Sequence, residues 1–484
     1  MRGIDVHKLC LFLASLSTTA LLTAQTQTPA HLRADGVIQP ETFVGTVLQA
    51  APETPDCSHL NFGPHLTQVP DATLGSYVFV FNSHVVPDND RCSATDRQRL
   101  EIKTEGHGTK ATPYQDYIVG HLGETVTHRW RFQLPTGFQP SFSFTHIHQI
   151  KAFDGDDGSP LITLTPRFGT PNTIQLLLIT STIATPPAQT ITLAEAPLAP
   201  FLGQWVEAHE KITYNHTIEE GATNPGRYSI VINRLSDNST VFSYSSDNID
   251  MWRVGTTTIR PKWGVYRSLS NAQQLRDEQV LFNNICIAKG TDDCPSDSTL
   301  PDFSLTPDTP NTTVAPGGSV SYALNLAQLN GFAQDVSLSL TGSNVVPGST
   351  GVPAATNLTG LPAAATAQFS SPVVAGGSGS STLTISTSSS TPPGSYALVV
   401  NGLSADGFRS HVASLPLVVS GTPGDVTHDG SVDCSDVTAV RASFGRKVGQ
   451  AGFNASADFN GDGFVNVLDL QFVVQHLPAG TTCQ

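Results

Sequence analysis

Basic side chains are scarce in this chain. Its 484 residues hold 25 Lys and Arg against 40 Asp and Glu, a formal net charge of −15. So acidic a protein is a poor partner for nucleic acid, whose phosphates are met by clustered cations. Long apolar runs are missing too. The one candidate, residues 9–22, is shorter than a membrane span requires. With Arg2 and Lys8 ahead of it and a cleavage position after Ala24, it reads as an export signal over residues 1–24. Cys10 opens that run instead of following it, which argues against a lipid anchor. The expected product is secreted and extracellular, with no membrane span. Cysteine is sparse, and no spacing among the seven resembles a zinc site. A catalytic thiol is not expected. Helical periodicity is nearly absent from the first 295 residues, with one short candidate near 271–277.

What is abundant is Gly (41) and Pro (33) beside much Ser and Thr, the composition of short strands joined by turns. The length suggests about three domains. Residues 25–295 alternate strand-like runs (76–81, 125–132, 141–151, 161–166, 173–179, 205–214, 226–234 and 240–244) with turn residues. They predict a jelly-roll β-sandwich of the concanavalin A-like class. Residues 296–308 turn to Pro, Ser, Thr and Asp and read as a linker. Residues 309–420, low in charge and aromatics, predict an immunoglobulin-like β-sandwich acting as a spacer. Residues 421–484 form a small α-helical module, so the fold class expected is mainly β with a helical end. Six cysteines outlast the signal and allow 15 pairings. The domain division favours Cys57–Cys92, Cys286–Cys294 and Cys434–Cys483.

The last module carries a repeat. Asp425-x-Thr427-x-Asp429-Gly430-x-x-Asp433-x-x-Asp436 recurs as Asp458-x-Asn460-x-Asp462-Gly463-x-x-Asn466-x-x-Asp469. Side-chain oxygens at loop positions 1, 3, 5, 9 and 12 can surround Ca²⁺, and glycine at position 6 permits the sharp turn. Each loop runs into an amphipathic helix, 437–444 and 470–477. The pair is similar to a type I dockerin. That resemblance implies two structural Ca²⁺ ions and a cohesin-bearing partner protein. It implies Asp425, Thr427, Asp429, Asp436 and the Ser431 carbonyl as ligands of the first ion. Asp458, Asn460, Asp462, Asp469 and the Phe464 carbonyl would hold the second. Asp433 and Asn466 would act through water. Thr427 departs from the usual Asn or Asp and predicts a weaker first site.

The chemistry-bearing residues of the first domain lie on three strand-like stretches. Residues 25–295 hold 19 of the 25 Lys and Arg, so a local basic groove is compatible with an acidic whole. On a strand, alternate side chains share a face. Arg97, Arg99, Glu101 and Lys103 would then line one side of the first stretch, His146 and His148 one side of the second. Arg260, Lys262 and Tyr266 would share a side of the third, with Gly264 leaving a gap. Cations beside imidazoles and a phenol suit β-elimination on an acidic polysaccharide. That reaction needs a neutralised carboxylate, a base for the C5 proton and an acid for the departing oxygen. It requires no metal or cofactor in principle. A phenol near pKa 10 works as a base only beside cations that stabilise phenolate, and Lys262 and Arg260 are the expected neighbours.

The three stretches resemble the jelly-roll polysaccharide lyases typified by alginate lyases and heparin lyase I. Those carry Arg-x-Glu-x-Arg, Gln-x-His and Lys-x-Gly-x-Tyr strands. Here they read Arg99-x-Glu101-x-Lys103, His146-x-His148 and Lys262-x-Gly264-x-Tyr266. The resemblance implies Tyr266 as acid and base, His148 as the alternative base, and Arg99 and His146 on the carboxylate. Glu101 would orient Arg99, and Lys262 would bind substrate; Lys103 and, outside the matched motifs, Arg260 and Arg97 are further substrate-binding candidates on the same strand faces. His146 stands where the family has Gln, and Gln149 is expected on the opposite face. Glu207 and His209 share a face of another strand and are further candidates for the groove. A glycoside hydrolase or a non-catalytic carbohydrate-binding protein on the same sandwich is the alternative. No Glu-x-Asp-x-x-Glu run supports the hydrolase.

Overall fold

The computed structural model describes residues 28–36, 38–55, 64–86, 88–91, 93–106, 111–181, 188–295, 300–308, 313–341, 357–359, 361–388, 391, 394–407, 409–422, 424–427, 429–459 and 462–483. The expected export signal, Cys57, Cys92 and Asn460 lie outside the described residues. The chain divides into two compact units, Met1–Leu300 with Asp406–Ser410, and Pro301–Ala405 with His411–Gln484. Both are built mainly from strands, as the composition requires.

The first unit is an antiparallel sandwich. One sheet joins β1 (Ala30–Leu32), β2 (Leu66–Asp71), β3 (Ser76–Ser83), β5 (Thr125–Gln133), β10 (Trp205–Thr213), β11 (Arg227–Arg234), β12 (Thr240–Ser246) and β14 (Glu278–Lys289). Its order is β12-β11-β10-β5-β14-β3-β2, with β1 beside β14. The other joins β4 (Arg97–Lys103), β6 (Thr145–Ala152), β7 (Ile162–Arg167), β8 (Thr173–Ile179), β9 (Thr190–Pro197) and β13 (Ile259–Ser268). Its order is β4-β13-β6-β7-β8-β9. Two-residue periodicity sorts each strand. On β5, Val126, His128, Trp130 and Phe132 are buried, while Arg129 and Arg131 are not. On β4, Leu100 and Ile102 point inward, which puts Arg99 and Glu101 on the outer face of the six-stranded sheet. Burying a side chain such as Phe132 or Leu100 contributes about 1.5–3 kcal/mol, which fixes the register that positions these charges.

A helix absent from the sequence reading, α1 (Pro40–Leu48), buries Phe43, Val44, Val47 and Leu48. Its Thr42, Val44, Gly45, Thr46 and Val47 are weak helix formers, so burial overrides local propensity here. The short candidate near 271–277 is a single 3-10 turn, Ala272–Gln274.

In the second unit, β15 (Asp302–Asp308), β17 (Ser319–Leu329), β22 (Gly379–Ser386) and β20 (Thr366–Phe369) form one sheet. The other contains β16 (Thr313–Val314), β18 (Val336–Thr341), β19 (Asn357–Thr359), β21 (Val373–Val374), β23 (Gly394–Ser404) and β24 (Ser410–Val419). Phe303, Tyr322, Leu324, Leu383, Leu398, Leu415 and Leu417 pack between them. Part of the expected linker is therefore a strand: β15 pairs with β17 from Asp302↔Leu329 to Asp308↔Ala323. Phe303, fully buried, is the reason. The C-terminal module follows with α2 (Cys434–Ser443) and α3 (Val467–His476) around Val426, Val437, Val440, Val465 and Val473.

Candidate functional site

Strand β13 runs between β4 and β6. Against β4 its register is regular, pairing Lys262↔Lys103, Gly264↔Glu101 and Tyr266↔Arg99. Against β6 it slips, with Trp263 opposite His148 but Tyr266 opposite His146. Three residues of β13 thus span two of β6. The slip sends His146 and His148 to opposite faces, where strict alternation had them together.

On the outer face, Tyr266 is the hub. Arg97 Nη1 donates to Tyr266 Oη at 3.1 Å, and the Arg99 guanidinium lies 3.8 Å from the ring centre. The His146 ring is 5.9 Å away and is itself stacked on Phe144 at 5.0 Å. His146 Nδ1 is bonded to Thr165 Oγ1 at 2.8 Å. Burial, then Arg167, Arg99 and Lys262, push the His146 imidazole down to about 3, so it stays neutral near pH 7. It can give or take one hydrogen bond but supplies no charge to a carboxylate.

The expected cations are largely engaged already. Arg99 donates to Asp90 at 2.8 and 3.1 Å and to Glu101 at 2.9 Å. Lys262 sits 2.6 Å from both Glu53 and Glu101, and Lys103 2.9 Å from Glu53. Arg260 reaches the Thr104 carbonyl at 3.4 Å and faces the Phe153 ring. Burial alone would raise the Glu53 carboxyl, but Lys262 beside it, then Arg99 and Lys103, hold it well below the usual carboxylate range. The phenol's cationic neighbours are therefore Arg97 and Arg99, not the expected Lys262 and Arg260. Lys262 stands four residues from Tyr266, roughly 13 Å along an extended strand.

Two further expectations change. Gly264, at φ +143°, leaves no gap: a Cβ there would fall 2.1 Å from the Leu100 carbonyl oxygen. The glycine permits close approach of β4. Gln149, expected on the far face, donates to Glu101 on the outer one.

His148 is sunk between the sheets, fully buried against Trp130 and Trp263. Its Nδ1 donates to the Lys262 carbonyl at 2.9 Å, and its Nε2 faces the Glu210 carboxylate at 3.2 Å. Both ring nitrogens face protein oxygens inside the core, so neither is open to a substrate. Glu210 also accepts from His128 Nδ1 at 2.7 Å and Tyr228 Oη at 2.6 Å. Burial would raise its carboxyl, but His148 and His128 hold it well below the usual range. Glu207 and His209 belong to the other sheet's outer face, where Glu207 binds Arg129 and Arg131. They do not line this site.

Glu53, Asp90 and Lys151 were missed, and Gln149 was assigned to the wrong face. Glu53 joins the site through an isolated bridge to Glu101, and nothing in its Pro-Glu-Thr-Pro context signals that. Burial pushes the Lys151 ammonium down to about 8. The alternation from Gln149 to Lys151 was the available signal, hidden by the slip in register.

The C-terminal loops are local constructions. Asp425 accepts from Asp429 N at 3.2 Å and Gly430 N at 2.9 Å; Asp458 accepts from Gly463 N at 2.9 Å. Asp436 takes Thr427 N and Asp433 N, and Asp469 takes Phe459 N and Asn466 N, at 2.8–2.9 Å. Gly430 and Gly463 have φ of +90° and +82°, the left-handed backbone that position 6 demands. Asp433 and Asn466 cap their helices by accepting from Ser435 N and Leu468 N. The helices consequently start three residues earlier than expected. Asp462 Oδ1 takes the Phe464 N–H at 2.8 Å, as Asp429 Oδ1 takes that of Ser431 at 2.9 Å. Asp458 Oδ1 is buried with no hydrogen-bond partner, an orphaned anion that a cation would satisfy. The Cys434–Cys483 and Cys286–Cys294 disulfides are present.

Residues 423–478 match the family model of the dockerin type I domain. Dockerin type I domains generally bind calcium, and a dockerin implies a cohesin-bearing partner. No curated protein matches the chain. Among solved structures, alginate lyase vAL-1 from Chlorella virus is 10% identical over 46% of this chain and 90% of that one, at a TM-score of 0.30. Domains 4 and 5 of the S-layer protein SbsC are 14% identical over 28% and 63%, at 0.17. Neither likeness is close enough to argue from. No helix among the described residues is long and apolar enough to cross a membrane. The dockerin is thus the part of the molecule that a family comparison identifies.

Proposed function

We propose that the first sandwich is a secreted polysaccharide lyase that cleaves a uronate-containing polymer by β-elimination, tethered through its dockerin. The observation that supports this most is Tyr266 Oη held by Arg97 with Arg99 over the ring. A base removes the C5 proton and the C–H pair becomes the C4=C5 double bond. The C4–O bond breaks, and the departing oxygen takes a proton. Tyr266 is the group assigned to that last transfer and, as phenolate stabilised by the two guanidiniums, to the first. Arg97 and the neutral His146 meet the uronate carboxylate; Lys103, Arg260 and Lys151 serve neighbouring sugars, while the buried Lys262 and Gln149 hold Glu101 in place. Glu101 positions Arg99. The state of Glu53, held ionised by cations, is opposite to that of the general acid a hydrolase requires.

The test is a panel of alginate, glucuronan and heparin-type polymers, followed by the ultraviolet absorbance of the unsaturated uronate product. Tyr266→Phe is expected to lower turnover about 10²–10⁴-fold with the fold intact. Retained activity removes its role. Reducing ends released without that absorbance would favour hydrolysis, and binding without product a carbohydrate-binding protein.

For the dockerin we propose two Ca²⁺ ions. Asp425, Thr427, Asp429, Asp436 and the Ser431 carbonyl would hold the first; Asp458, Asn460, Asp462, Asp469 and the Phe464 carbonyl the second. Chelation is expected to lower the melting temperature of this module, and unchanged melting would contradict the assignment.

A further inference from the structure

Away from the Tyr266 face, the open end of the β2–β3 hairpin gathers three metal-ligating side chains. His65 directly precedes β2, His84 directly follows β3, and Asp88 lies on the segment leading toward β4. The hairpin register holds the first two together, with Leu66 opposite Phe81 and Asn82 N donating to the His65 carbonyl at 2.8 Å. His65 Nε2 is 2.9 Å from Asp88 Oδ1, and His84 Nδ1 is 3.4 Å from Asp88 Oδ2. The two imidazole nitrogens face each other at 3.3 Å. The side chains of His65 and Asp88 are 0% and 1% exposed, and that of His84 is 18% exposed.

We propose that His65, His84 and Asp88 bind one divalent transition-metal ion of the zinc class. Tetrahedral bonds of about 2.0–2.1 Å set ligand atoms roughly 3.3 Å apart, and the contacts among these side chains run from 2.9 to 3.4 Å. Two imidazoles and one carboxylate suit zinc and its neighbours. They do not suit calcium, which takes about 6–8 oxygens, so the site is chemically distinct from the dockerin loops. His84 is the member of the set that reaches solvent. The backbone N–H of His84 donates to Asp88 Oδ2 at 2.7 Å, an outer contact that orients the carboxylate.

The ion would brace the strands that carry the lyase candidates. The His84 carbonyl accepts from the Gln98 side-chain amide, and Gln98 Oε1 accepts from Arg267 Nε. Gln98 lies between Arg97 and Arg99, and Arg267 follows Tyr266.

The test uses the full chain in excess Ca²⁺, which keeps the dockerin loops loaded. The protein is stripped with a chelator selective for transition metals and titrated with Zn²⁺ or Co²⁺. Expected are one ion per chain, a tetrahedral cobalt spectrum, a raised melting temperature, and loss of all three in His84→Gln. X-ray absorption at the zinc edge of the unmutated protein should report two imidazoles and a carboxylate, a readout that stands if the variant fails to fold. A folded, stripped chain that takes up neither metal overturns the proposal. So does uptake equal to that of folded His84→Gln.

Discussion

The two faces of the six-stranded sheet each carry a polar cluster, and they differ in how far the protein closes them off from water. Toward the eight-stranded sheet, Glu210 takes His128, His148 and Tyr228 in a fully buried knot. On the outer face, Arg99, Glu101, Glu53 and Lys262 form a comparable knot, but Tyr266 and Arg97 remain partly open at its edge. A fully buried network serves specificity of fold, because a member that loses its partner has no water to turn to; the inner cluster's loose end is His128 Nε2, buried without a hydrogen-bond partner. One that leaves a phenol and a guanidinium at the surface can exchange protons with a bound molecule. The comparison assigns stability to the inner cluster and chemistry to the rim of the outer one.

The largest expected effect on stability is at Glu210. Glu210→Ala strands three buried donors and should cost about 3–5 kcal/mol in urea unfolding, measured at neutral pH. A loss below about 1 kcal/mol would break the contrast.

Next comes acid. His146 titrates near 6.5 when unfolded and near 3 when folded, so the unfolded chain binds more protons between those values. Stability therefore falls as pH drops through that window, by up to about 3 kcal/mol between pH 7 and 4. The lowered Glu53 and Glu210 carboxyls act in the same direction below the ordinary carboxylate range. Urea midpoints across pH 4–7 should slope accordingly, and His146→Asn should flatten the upper part of that slope.

The smallest effect is at Arg97, whose side chain is 39% exposed. Arg97→Ala should change stability by no more than about 0.5 kcal/mol. It should still lower elimination activity about tenfold or more, and equal activity would remove Arg97 from the site.

These residues also show what can be read along a chain. The Asp425 and Asp458 loops announce themselves within about 12 residues, since every ligand position and its obligatory glycine are close neighbours in sequence. The strand character of residues 97–103, 145–152 and 259–268 was equally plain, because alternation is local. Tyr266 beside Arg99 came from the β4–β13 register, since the alternation alone had pointed to Lys262 and Arg260.

The side to which His148 turns did not follow. It depends on a slip between β6 and β13, beside which Trp263 packs against Trp130 and His148. The arrival of Glu53 beside Lys262, 209 residues away, is likewise a matter of chain path. Calcium-loop chemistry was legible because its partners are neighbours along the backbone. The charge state and openness of the Tyr266 site were not, since burial and ion pairing are set by residues that meet only when the sheets close.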